Sequence, residues 1–439
     1  DEYVHVSHVS GKSFKLSHAN FMEFIDKENI AVSKAKILFS QTKKGIMPEI
    51  VDSIYQKRVQ VRKKLKTNLV KMSKLDKDSE EYKEIKKTAD YLDIKQFTLK
   101  ILINTVYGYF GNKHAPIGDP DIARSITLTG QAVIKKSNDI LREYISINGM
   151  PGVDPIIYND TDSSYISINA LMRNIDKQFH IEGKITPEAY TQAEKVENYL
   201  NEKITEWATK TLNSKDSRFV FKRECMSDVG VFLQKKRYVL RVLDDEGIPT
   251  NKFKYTGVEV VRSTIPKQIK PYIKQIIETM MDTENKTTTN DVFLAAYDTF
   301  KELPIEDYSF VMGISDYEKY ADRCNGFITC KGMPAHVKAA YHYNTLIDKL
   351  DLTGNYEAIE TGDKVRYFYV DQPNKYGINA IAYKYYLPEE FKNIFTPNKE
   401  KMFEKIIYSI IERFYDAVSW KLRKPSAQIQ TDLFELLGV

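Results

Sequence analysis

The chain has 439 residues, 42% of them hydrophobic and 28% charged, with a formal net charge of +5. This length supports more than one domain with a substantial core, and the small net charge excludes a strongly basic or acidic protein. No apolar run approaches the length that crosses a bilayer, which excludes a membrane-spanning class. Three widely spaced cysteines, Cys225, Cys324 and Cys330, lack a metal-binding spacing and predict a reducing compartment without disulfides.

The first 45 residues predict only the edge of a domain. Short apolar pieces at Phe21–Ile25 and Ala35–Phe39 alternate weakly with polar residues. A helix is predicted to start within Gly45–Glu49, where Pro48 would lie in the first turn. A boundary is therefore expected near residue 45.

Residues 46–112 predict two long helices that fold back on each other. Apolar residues recur every three or four positions from Val61 to Leu75, from Tyr82 to Leu92 and from Leu99 to Val106. The polar run Asp76–Ser79 interrupts this pattern and predicts a short turn. The segment is therefore predicted to be an antiparallel helical hairpin.

This hairpin carries a local excess of positive charge. Residues 51–100 contain 14 lysines and arginines against eight aspartates and glutamates. Arg58 and Arg62 share a face of the first helix, and the fold-back brings Lys100 to the same open end. Three converging cations suit a triphosphate, because guanidinium groups grip phosphate oxygens and lysine adds a point charge. The alternative is a solvent-facing charged surface, which we assign to Lys63, Lys64, Lys66, Lys71 and Lys74.

The second helix contains the run Lys100–Gly108, which reads K-I-L-I-N-T-V-Y-G. Lys100, Asn104 and Tyr107 follow at steps of four and three residues, so they share one helical face. That face is predicted to combine a cation, an amide and an aromatic ring beside a glycine.

After a helix predicted from Ala123 to Tyr144, the nine residues Tyr158–Ile166 read Y-N-D-T-D-S-S-Y-I and predict a β-hairpin. Asn159 tolerates positive φ and is predicted to lie at the turn. Asp160 and Asp162 would then project from a hydrophobic sheet, where carboxylates bind a hard cation such as Mg²⁺. The alternative is that both aspartates are ordinary turn residues.

The next segments predict a helix over residues 188–212 and a strand over Phe219–Cys225. Glu224 on that strand is expected beside Asp162, or alternatively it only pairs with a basic neighbour. A second strand, Tyr238–Leu243, is predicted directly after the three cations Lys235, Lys236 and Arg237. These cations suit backbone phosphates, and the Tyr238 ring suits a duplex groove or a sugar.

Helices and loops dominate the sequence after Gly257. Helices are predicted over residues 271–281, 290–301, 335–350, 388–393 and 401–421, and a strand over residues 365–370. Gln430–Leu437 follows a proline break at Pro425 and predicts a detached apolar tail, with a packed last helical turn as the alternative.

Three of these segments together resemble the motifs of family B DNA polymerases. Tyr158–Ser163 is similar to motif C, usually Y-G-D-T-D-S, with Asn159 in place of glycine. Lys100–Gly108 is similar to motif B, K-x-x-x-N-S-x-Y-G, with Thr105 in place of serine. Lys235–Tyr238 matches the family's K-K-R-Y motif, and all three occur in the family's order. The chain thus resembles the T-even bacteriophage type of this family.

The resemblance implies an α+β fold with right-hand polymerase architecture. Residues 1–45 would form a partial palm edge, residues 46–112 helical-hairpin fingers, and residues 113–253 an incomplete antiparallel palm with the motif C hairpin and the K-K-R-Y strand. Residues 254–428 would form a mostly helical thumb, and residues 429–439 a clamp-binding tail.

The resemblance also implies site residues. Asp162 and Asp160 would be catalytic and hold two Mg²⁺ ions, for which Mn²⁺ could substitute, with Glu224 as a further ligand. The incoming deoxynucleoside triphosphate would be bound by Arg58, Arg62, Lys100, Asn104, Tyr107 and Gly108. Primer-template DNA would be contacted by Lys235, Lys236, Arg237, Tyr238, His336, Lys338, Tyr343 and Asn344. A sliding clamp would bind Leu433 and Phe434. For His336, a helix-start histidine without a ligand is an equal alternative.

One motif of the family does not occur in the sequence. Motif A, S-L-Y-P-S preceded by an aspartate, is absent from the 439 residues, and the 3′–5′ exonuclease carboxylates would lie upstream of it. We therefore expect one chain of a split polymerase, or a truncated product, that is inactive alone. An exonuclease-bearing N-terminal chain would supply motif A in a heterodimer, in the cytoplasm of an infected bacterium and without a membrane partner.

Two other classes stay open at this point. A non-catalytic DNA-binding scaffold subunit would keep motif B and K-K-R-Y but bind no metal alone. A D-x-D metal-dependent phosphotransferase would need a second carboxylate cluster within this chain, and the sequence offers none in a matching context.

Overall fold

The computed structural model describes residues 3–7 and 12–425. The chain divides into two compact units, one comprising Asp1–Met226 with Asp244–Thr250 and the other Ser227–Leu243 with Asn251–Val439. Helices and small antiparallel sheets occur in both units, so the predicted α+β class is confirmed. No helix in the part of the chain that the structure describes combines the length and apolar character needed to cross a membrane.

The first unit opens with two small antiparallel hairpins separated by a helix. Strand β1 (Tyr3–Ser7) pairs with β2 (Ser13–Ser17), and β3 (Ile30–Val32) pairs with β4 (Leu38–Ser40). Helix α1 (His18–Lys27) lies between them and is capped by the hydroxyl of Ser17. The weak alternation in the sequence is thus realised as short separate elements.

Two long helices form the predicted antiparallel helical hairpin. Helices α2 (Ile46–Met72) and α3 (Glu80–Gly111) pack along each other, and the Ser79 hydroxyl caps α3 by accepting the Tyr82 N–H at 3.2 Å. Within these two fully described helices the buried residues are Val61, Ala89 and Leu92. Little apolar area holds the hairpin, so most of its side chains face solvent.

The main core of the first unit lies against two further helices, α4 (Pro120–Asn148) and α6 (Pro187–Leu212). Both helices begin with proline after a capping side chain, Asp119 or Thr186, so the helix predicted from Ala123 starts three residues earlier, at Pro120. The smaller elements are β5 (Ile156–Asp160), β6 (Ser163–Ile166), α5 (Asn169–Asn174), β7 (His180–Ile181) and β8 (Lys184–Ile185).

A three-stranded sheet follows, with β9 (Cys225–Gln234), β10 (Arg237–Asp245) and β11 (Ile248–Thr256) in the order β11-β10-β9. The strand predicted at Tyr238–Leu243 is confirmed as the centre of β10. The strand predicted over Phe219–Cys225 is wrong, because regular pairing begins only at Cys225.

Side chains of α6 explain why residues before Cys225 remain irregular. The Asn201 side chain accepts the Phe221 N–H at 2.7 Å and donates to the Phe221 carbonyl at 2.8 Å. The Glu197 carboxylate accepts the Arg223 N–H at 2.8 Å. These bonds satisfy the backbone groups that a neighbouring strand would otherwise pair.

The rest of the second unit is mostly helical around a small antiparallel sheet. Strands β12 (Phe310–Gly313), β13 (Lys364–Tyr369) and β14 (Ala380–Tyr383) lie in that order, which confirms the strand predicted at residues 365–370. The helices are α7 (Lys270–Thr283), α8 (Lys286–Glu302), α9 (Ile305–Tyr308), α10 (Tyr317–Ala321), α11 (Ala335–Lys349), α12 (Glu389–Ile394), α13 (Lys399–Phe403) and α14 (Ser409–Ala417).

The single helix predicted over residues 401–421 is interrupted. A π-helical turn, Glu404–Tyr408, separates α13 from α14, and a 3₁₀ turn, Glu259–Val261, follows the β9–β11 sheet. Fully buried aromatic residues fill the core of this unit, among them Phe293, Phe300, Tyr383, Phe403 and Phe414. The second unit therefore contains the larger of the two clusters of buried hydrophobic residues.

Candidate functional site

Strands β5 and β6 form the predicted hairpin, with both aspartates at its tip. The register pairs Asn159 with Ser164 and Asp160 with Ser163, which leaves Thr161 and Asp162 as the turn. The Asp162 N–H donates to the Asp160 carbonyl at 2.7 Å, and this bond closes the turn. The two carboxylates therefore leave the backbone two residues apart at one end of the sheet.

The turn residue with positive φ is Thr161, at +57°, and the expectation for Asn159 is wrong. Asn159 lies in β5, where its Oδ1 accepts the Ser164 hydroxyl at 2.8 Å. The Thr161 hydroxyl donates to Asp160 Oδ1 at 3.0 Å, which helps to hold the turn. An amide at position 159 thus ties the two strands together, whereas a glycine there would have no side chain to do so.

The tip of the hairpin is open to solvent on the side of Asp162. Asp162 is exposed and Asp160 is half-buried. Below them, the Tyr158 and Tyr165 rings pack with centroids 5.6 Å apart across the two strands. The aromatic pair and the hydrogen-bonded turn hold both carboxylates on a rigid base.

This donor set fits a magnesium ion in part. Mg²⁺ prefers oxygen ligands and is usually held by one or two carboxylates together with phosphate oxygens and water. Asp160 and Asp162 supply two carboxylates. Across residues 3–7 and 12–425, no three Asp, Glu, His or Cys side chains converge on a common metal position.

Glu224 is not grouped with the two aspartates. It is exposed, it precedes β9, and its carbonyl accepts the Glu246 N–H at 2.7 Å. The expectation that Glu224 lies on a strand is therefore wrong, because side chains of α6 bind the backbone before Cys225, while a position beside Asp162 stays a prediction.

On the helical hairpin, Arg58 reaches across from α2 to α3. Its guanidinium donates to Gln96 Oε1 at 3.4 Å, while its buried Nε has no hydrogen-bond partner among the described residues. Burial, followed by the charge of Arg62, lowers the pKa of Arg58. A half-buried cation with an unused N–H group can accept an anionic ligand.

Lys100 lies one helical turn beyond Gln96, about 6 Å along the α3 axis. Lys100, Asn104 and Tyr107 are all exposed on α3. Nothing lies within 4 Å of a Cβ added at Gly108, so the helix surface there is open to a close partner. The hairpin thus presents a cation, an amide, a ring and a bare backbone along one open face.

Arg62 is engaged differently from Arg58. Its guanidinium pairs with the Glu246 carboxylate, and Lys66 Nζ donates to the Glu246 carbonyl at 2.5 Å. Lys66 is therefore not the purely solvated lysine that was expected. The turn between β10 and β11 holds two cations of the α2 surface in this conformation.

That turn is itself anchored by a buried carboxylate, Asp244, which sequence reasoning missed. Asp244 is fully buried, pairs with Arg223, and accepts the Tyr190 hydroxyl and the Gly247 N–H, both at 2.9 Å. Burial and the bond to Asp244 raise the pKa of Tyr190 to about 12. The sequence signal was the polar run at 244–247, which separates two apolar strands.

The four residues of the K-K-R-Y segment differ in whether their side chains face solvent or the protein interior. Lys235 and Lys236 form the turn between β9 and β10 and are exposed, with Lys236 at a φ of +62°. Arg237 pairs with Glu259, which also accepts from Arg413 at 2.7 Å. Tyr238 is 4% exposed, and its ring stacks on Phe232 at 5.3 Å. The side chains of the two lysines face solvent, while those of Arg237 and Tyr238 make contacts inside the second unit.

The residues of helix α11 that were predicted to contact DNA also differ in their surroundings. His336 and Lys338 are half-buried near its start, and burial lowers the pKa of His336. Tyr343 is 3% exposed and donates to the Glu357 carbonyl at 3.2 Å. The Asn344 amide donates to the Ile359 carbonyl and accepts its N–H, both at 2.8 Å. Contrary to expectation, the structure uses Tyr343 and Asn344 to hold the core.

The segment predicted to bind a clamp, with Leu433 and Phe434, lies outside the described residues.

The carboxylate-tipped β-hairpin offers groups that suit a divalent cation, and the basic helical hairpin offers groups that suit a phosphate. The sequence profile of DNA polymerase family B matches residues 6–417, so the chain belongs to that family.

Similar proteins include two phage enzymes. The DNA-directed DNA polymerase of Enterobacteria phage T4 is 25% identical over 313 residues, which cover 68% of this chain and 34% of that protein. The corresponding protein of Escherichia phage RB69 is 26% identical over 303 residues, covering 66% and 32%. The DNA polymerase delta catalytic subunit of Candida albicans is 34% identical over 125 residues, covering 28% and 11%. The chain thus spans about a third of the length of the phage relatives.

Proposed function

We propose that this chain is the polymerase part of a DNA-directed DNA polymerase, which extends a primer with deoxynucleoside triphosphates on a DNA template. The observation that carries the proposal is the β5–β6 hairpin, which holds Asp160 and Asp162 together at one tip in a chain of family B. We further propose that residues 46–112 act as fingers, residues 113–253 as palm and residues 254–428 as thumb. Phage-type replication in an infected bacterium is the setting that the T4 and RB69 relatives suggest.

Asp162 and Asp160 would hold the Mg²⁺ ions, with Mn²⁺ as a substitute. When bound, two such ions stabilise the attacking and leaving oxygens of nucleotidyl transfer. The hairpin contributes by keeping both carboxylates on a rigid base, and exposed Asp162 is the more accessible of the two. Glu224 stays a proposed supporting carboxylate at most, since it is exposed and forms no three-residue metal-binding group with the pair among the described residues.

The helical hairpin would bind the incoming triphosphate. Arg58 supports this role through its unused buried N–H, and Lys100 through its exposed ammonium on the adjoining turn of α3. Asn104 and Tyr107 would flank the new base pair, and Gly108 would let the backbone approach the template base. Arg62 would join the phosphate contacts once it leaves Glu246.

Replacing Lys100 with alanine is expected to raise the nucleotide KM by roughly tenfold or more, since charged hydrogen bonds contribute about 1.5–3 kcal/mol. Primer-template affinity should change little, because the lysine would contact charge on the nucleotide. Steady-state primer extension and DNA titration measure the two effects separately. Lys74→Ala, at the opposite end of the hairpin, is the matched control. A loss of DNA affinity at constant KM would assign Lys100 to the duplex.

Replacing Glu246 with glutamine is expected to lower the nucleotide KM by roughly two- to fivefold. The carboxylate competes with phosphate for Arg62, and exposed ion pairs of this kind are worth about 0.2–1 kcal/mol. Glu182→Gln is the matched control, because Glu182-Gly183 has the same pair of positive φ angles as Glu246-Gly247. An unchanged KM for Glu246→Gln would mean that Arg62 takes no part in nucleotide binding.

DNA phosphates would be contacted by the exposed Lys235 and Lys236 at the β9–β10 turn and by His336 and Lys338 near the start of α11. Arg237, Tyr238, Tyr343 and Asn344 would support these contacts from inside the unit, because their side chains are already engaged there.

We also propose that a partner chain supplies the motif A carboxylate, together with exonuclease activity. The supporting observation is that β5 and β6 form a two-stranded sheet with no third strand among the described residues. Ile157 on β5 is 53% exposed. A motif A strand from the partner could pair with this sheet and cover that apolar side chain.

The tail is proposed to bind a sliding clamp through Leu433 and Phe434. Deleting residues from Thr431 onward is expected to remove stimulation of synthesis by a phage-type clamp while sparing distributive synthesis. Primer extension on long templates with and without clamp measures this. A Leu433→Ala, Phe434→Ala variant is the sharper test, since it keeps the length of the tail. Loss of thermal stability on deletion would instead indicate a packed last helical turn.

A further inference from the structure

The hairpin between α10 and α11 brings two cysteines together. The thiols of Cys324 and Cys330 both donate to one acceptor, the Tyr320 carbonyl oxygen, at 3.2 and 3.9 Å. The Cys330 N–H donates to Cys324 Sγ at 3.3 Å. Both sulfurs therefore occupy the same small volume in the reduced state.

A tight turn holds the sulfurs in this position. Asn325 and Ile328 exchange both backbone hydrogen bonds, at 3.1 and 2.9 Å, and form an isolated antiparallel bridge. Gly326 within the turn has a φ of +54°. The backbone thus already has the reversal that a bond between the flanking sulfurs requires.

The surroundings of the two sulfurs differ. The Arg323 guanidinium donates to Cys330 Sγ at 3.6 Å, so a cation lies against this sulfur. Burial raises the pKa of the Cys324 thiol. Both cysteines are half-buried, so a small reagent can reach them. We therefore assign the first step to Cys330, which contacts Arg323, and the second step to Cys324.

We propose that Cys324 and Cys330 form a reversible disulfide modification site, which a low-molecular-weight disulfide such as oxidised glutathione oxidises. This inference departs from the expectation of a chain without disulfides, and it does not depend on polymerase activity.

The reaction balances in two exchange steps. The Cys330 thiolate attacks one sulfur of oxidised glutathione, forms a mixed disulfide and releases one glutathione thiolate. The Cys324 thiol then loses its proton and attacks Cys330 Sγ, which releases the second glutathione. Two protein thiols are oxidised by two electrons in total, and one glutathione disulfide is reduced to two glutathione thiols.

The sequence allows a direct test by peptide mapping. Trypsin cleaves after Arg323 and Lys331, so both sulfurs fall in the peptide 324–331, whereas Cys225 falls in the peptide 224–235. The full chain is incubated in glutathione buffers of increasing oxidised fraction, alkylated, digested and analysed by mass spectrometry. We expect peptide 324–331 to lose two hydrogens and resist alkylation at an oxidant level about tenfold below that at which Cys225 reacts, because the second step is intramolecular.

Single variants assign the order of the two steps. Cys324→Ser should accumulate glutathione on Cys330, and Cys330→Ser should react more slowly at Cys324. Circular dichroism melting of each variant checks that the fold is retained, and Cys225→Ser should oxidise like the wild type. The proposal is overturned if peptide 324–331 stays doubly alkylated at oxidant levels that modify Cys225, or if the oxidised product is a dimer between chains.

Discussion

Replacing Asp162 with asparagine is expected to abolish primer extension by the assembled enzyme while DNA binding survives. Asp162 is the exposed carboxylate at the hairpin tip, and the amide keeps its size but removes the charge that a divalent ion needs. Metal stabilisation of the reacting oxygens is worth several kcal/mol, so the rate should fall on the order of a thousandfold. Single-nucleotide incorporation and a DNA mobility shift measure the two properties.

Asp160→Asn is the internal comparison for this prediction. Asp160 is half-buried and its Oδ1 accepts the Thr161 hydroxyl, so we expect a smaller loss of activity than for Asp162. Broadening of nuclear magnetic resonance signals by Mn²⁺ in the assembled enzyme gives a readout besides activity. The signals of the hairpin should broaden in the wild type and not in Asp162→Asn. Equal incorporation by wild type and Asp162→Asn would refute the metal assignment.

Sequence patterns predicted the elements that depend on local periodicity. The hairpin of α2 and α3, the helix α6 predicted over residues 188–212 and the strands β5, β6, β10 and β13 all follow from spacing and breakers within the segment. The aspartates of the candidate site were predicted for the same reason, since a short β-hairpin specifies its own tip.

Features set by distant partners could not be predicted in this way. The strand expected at Phe219–Cys225 has the right composition, but Asn201 and Glu197 on α6 bind its backbone instead. Arg62 meets Glu246 across a sequence separation of 184 residues. No local pattern contains such a pairing.

The burial of individual site residues could not be predicted from the sequence either. The K-K-R-Y motif specifies the residue types at four positions. Their spacing alone does not determine which of the four side chains point into the core. The structure buries Tyr238 against Phe232 and leaves Lys235 in the exposed turn. In the same way, Tyr343 and Asn344 lie on a helix whose polar positions meet loop carbonyls that are distant in sequence. Tertiary contacts therefore decide which motif residues remain available to a ligand.

The other large effect is expected from the partner. The isolated chain should not extend a primer, and activity should appear on mixing with a chain that carries motif A. Two divalent ions a few ångströms apart repel strongly, so their binding needs carboxylate charge from two directions. Asp160 and Asp162 leave the backbone from one turn and supply charge from one direction.

The open sheet formed by β5 and β6, together with the exposed Ile157, is the surface that such a partner would cover. The test is to purify this chain and a polypeptide that contains motif A, and to measure extension by each alone and by the mixture. We expect at least a hundredfold gain on mixing, by analogy with the loss of a metal-binding carboxylate. Ile157→Lys should weaken assembly of the pair without unfolding the first unit.

Robust extension by this chain alone, following its own purification profile and abolished by Asp162→Asn, would show that the chain needs no partner. DNA binding by the mixture without any extension would favour the scaffold subunit.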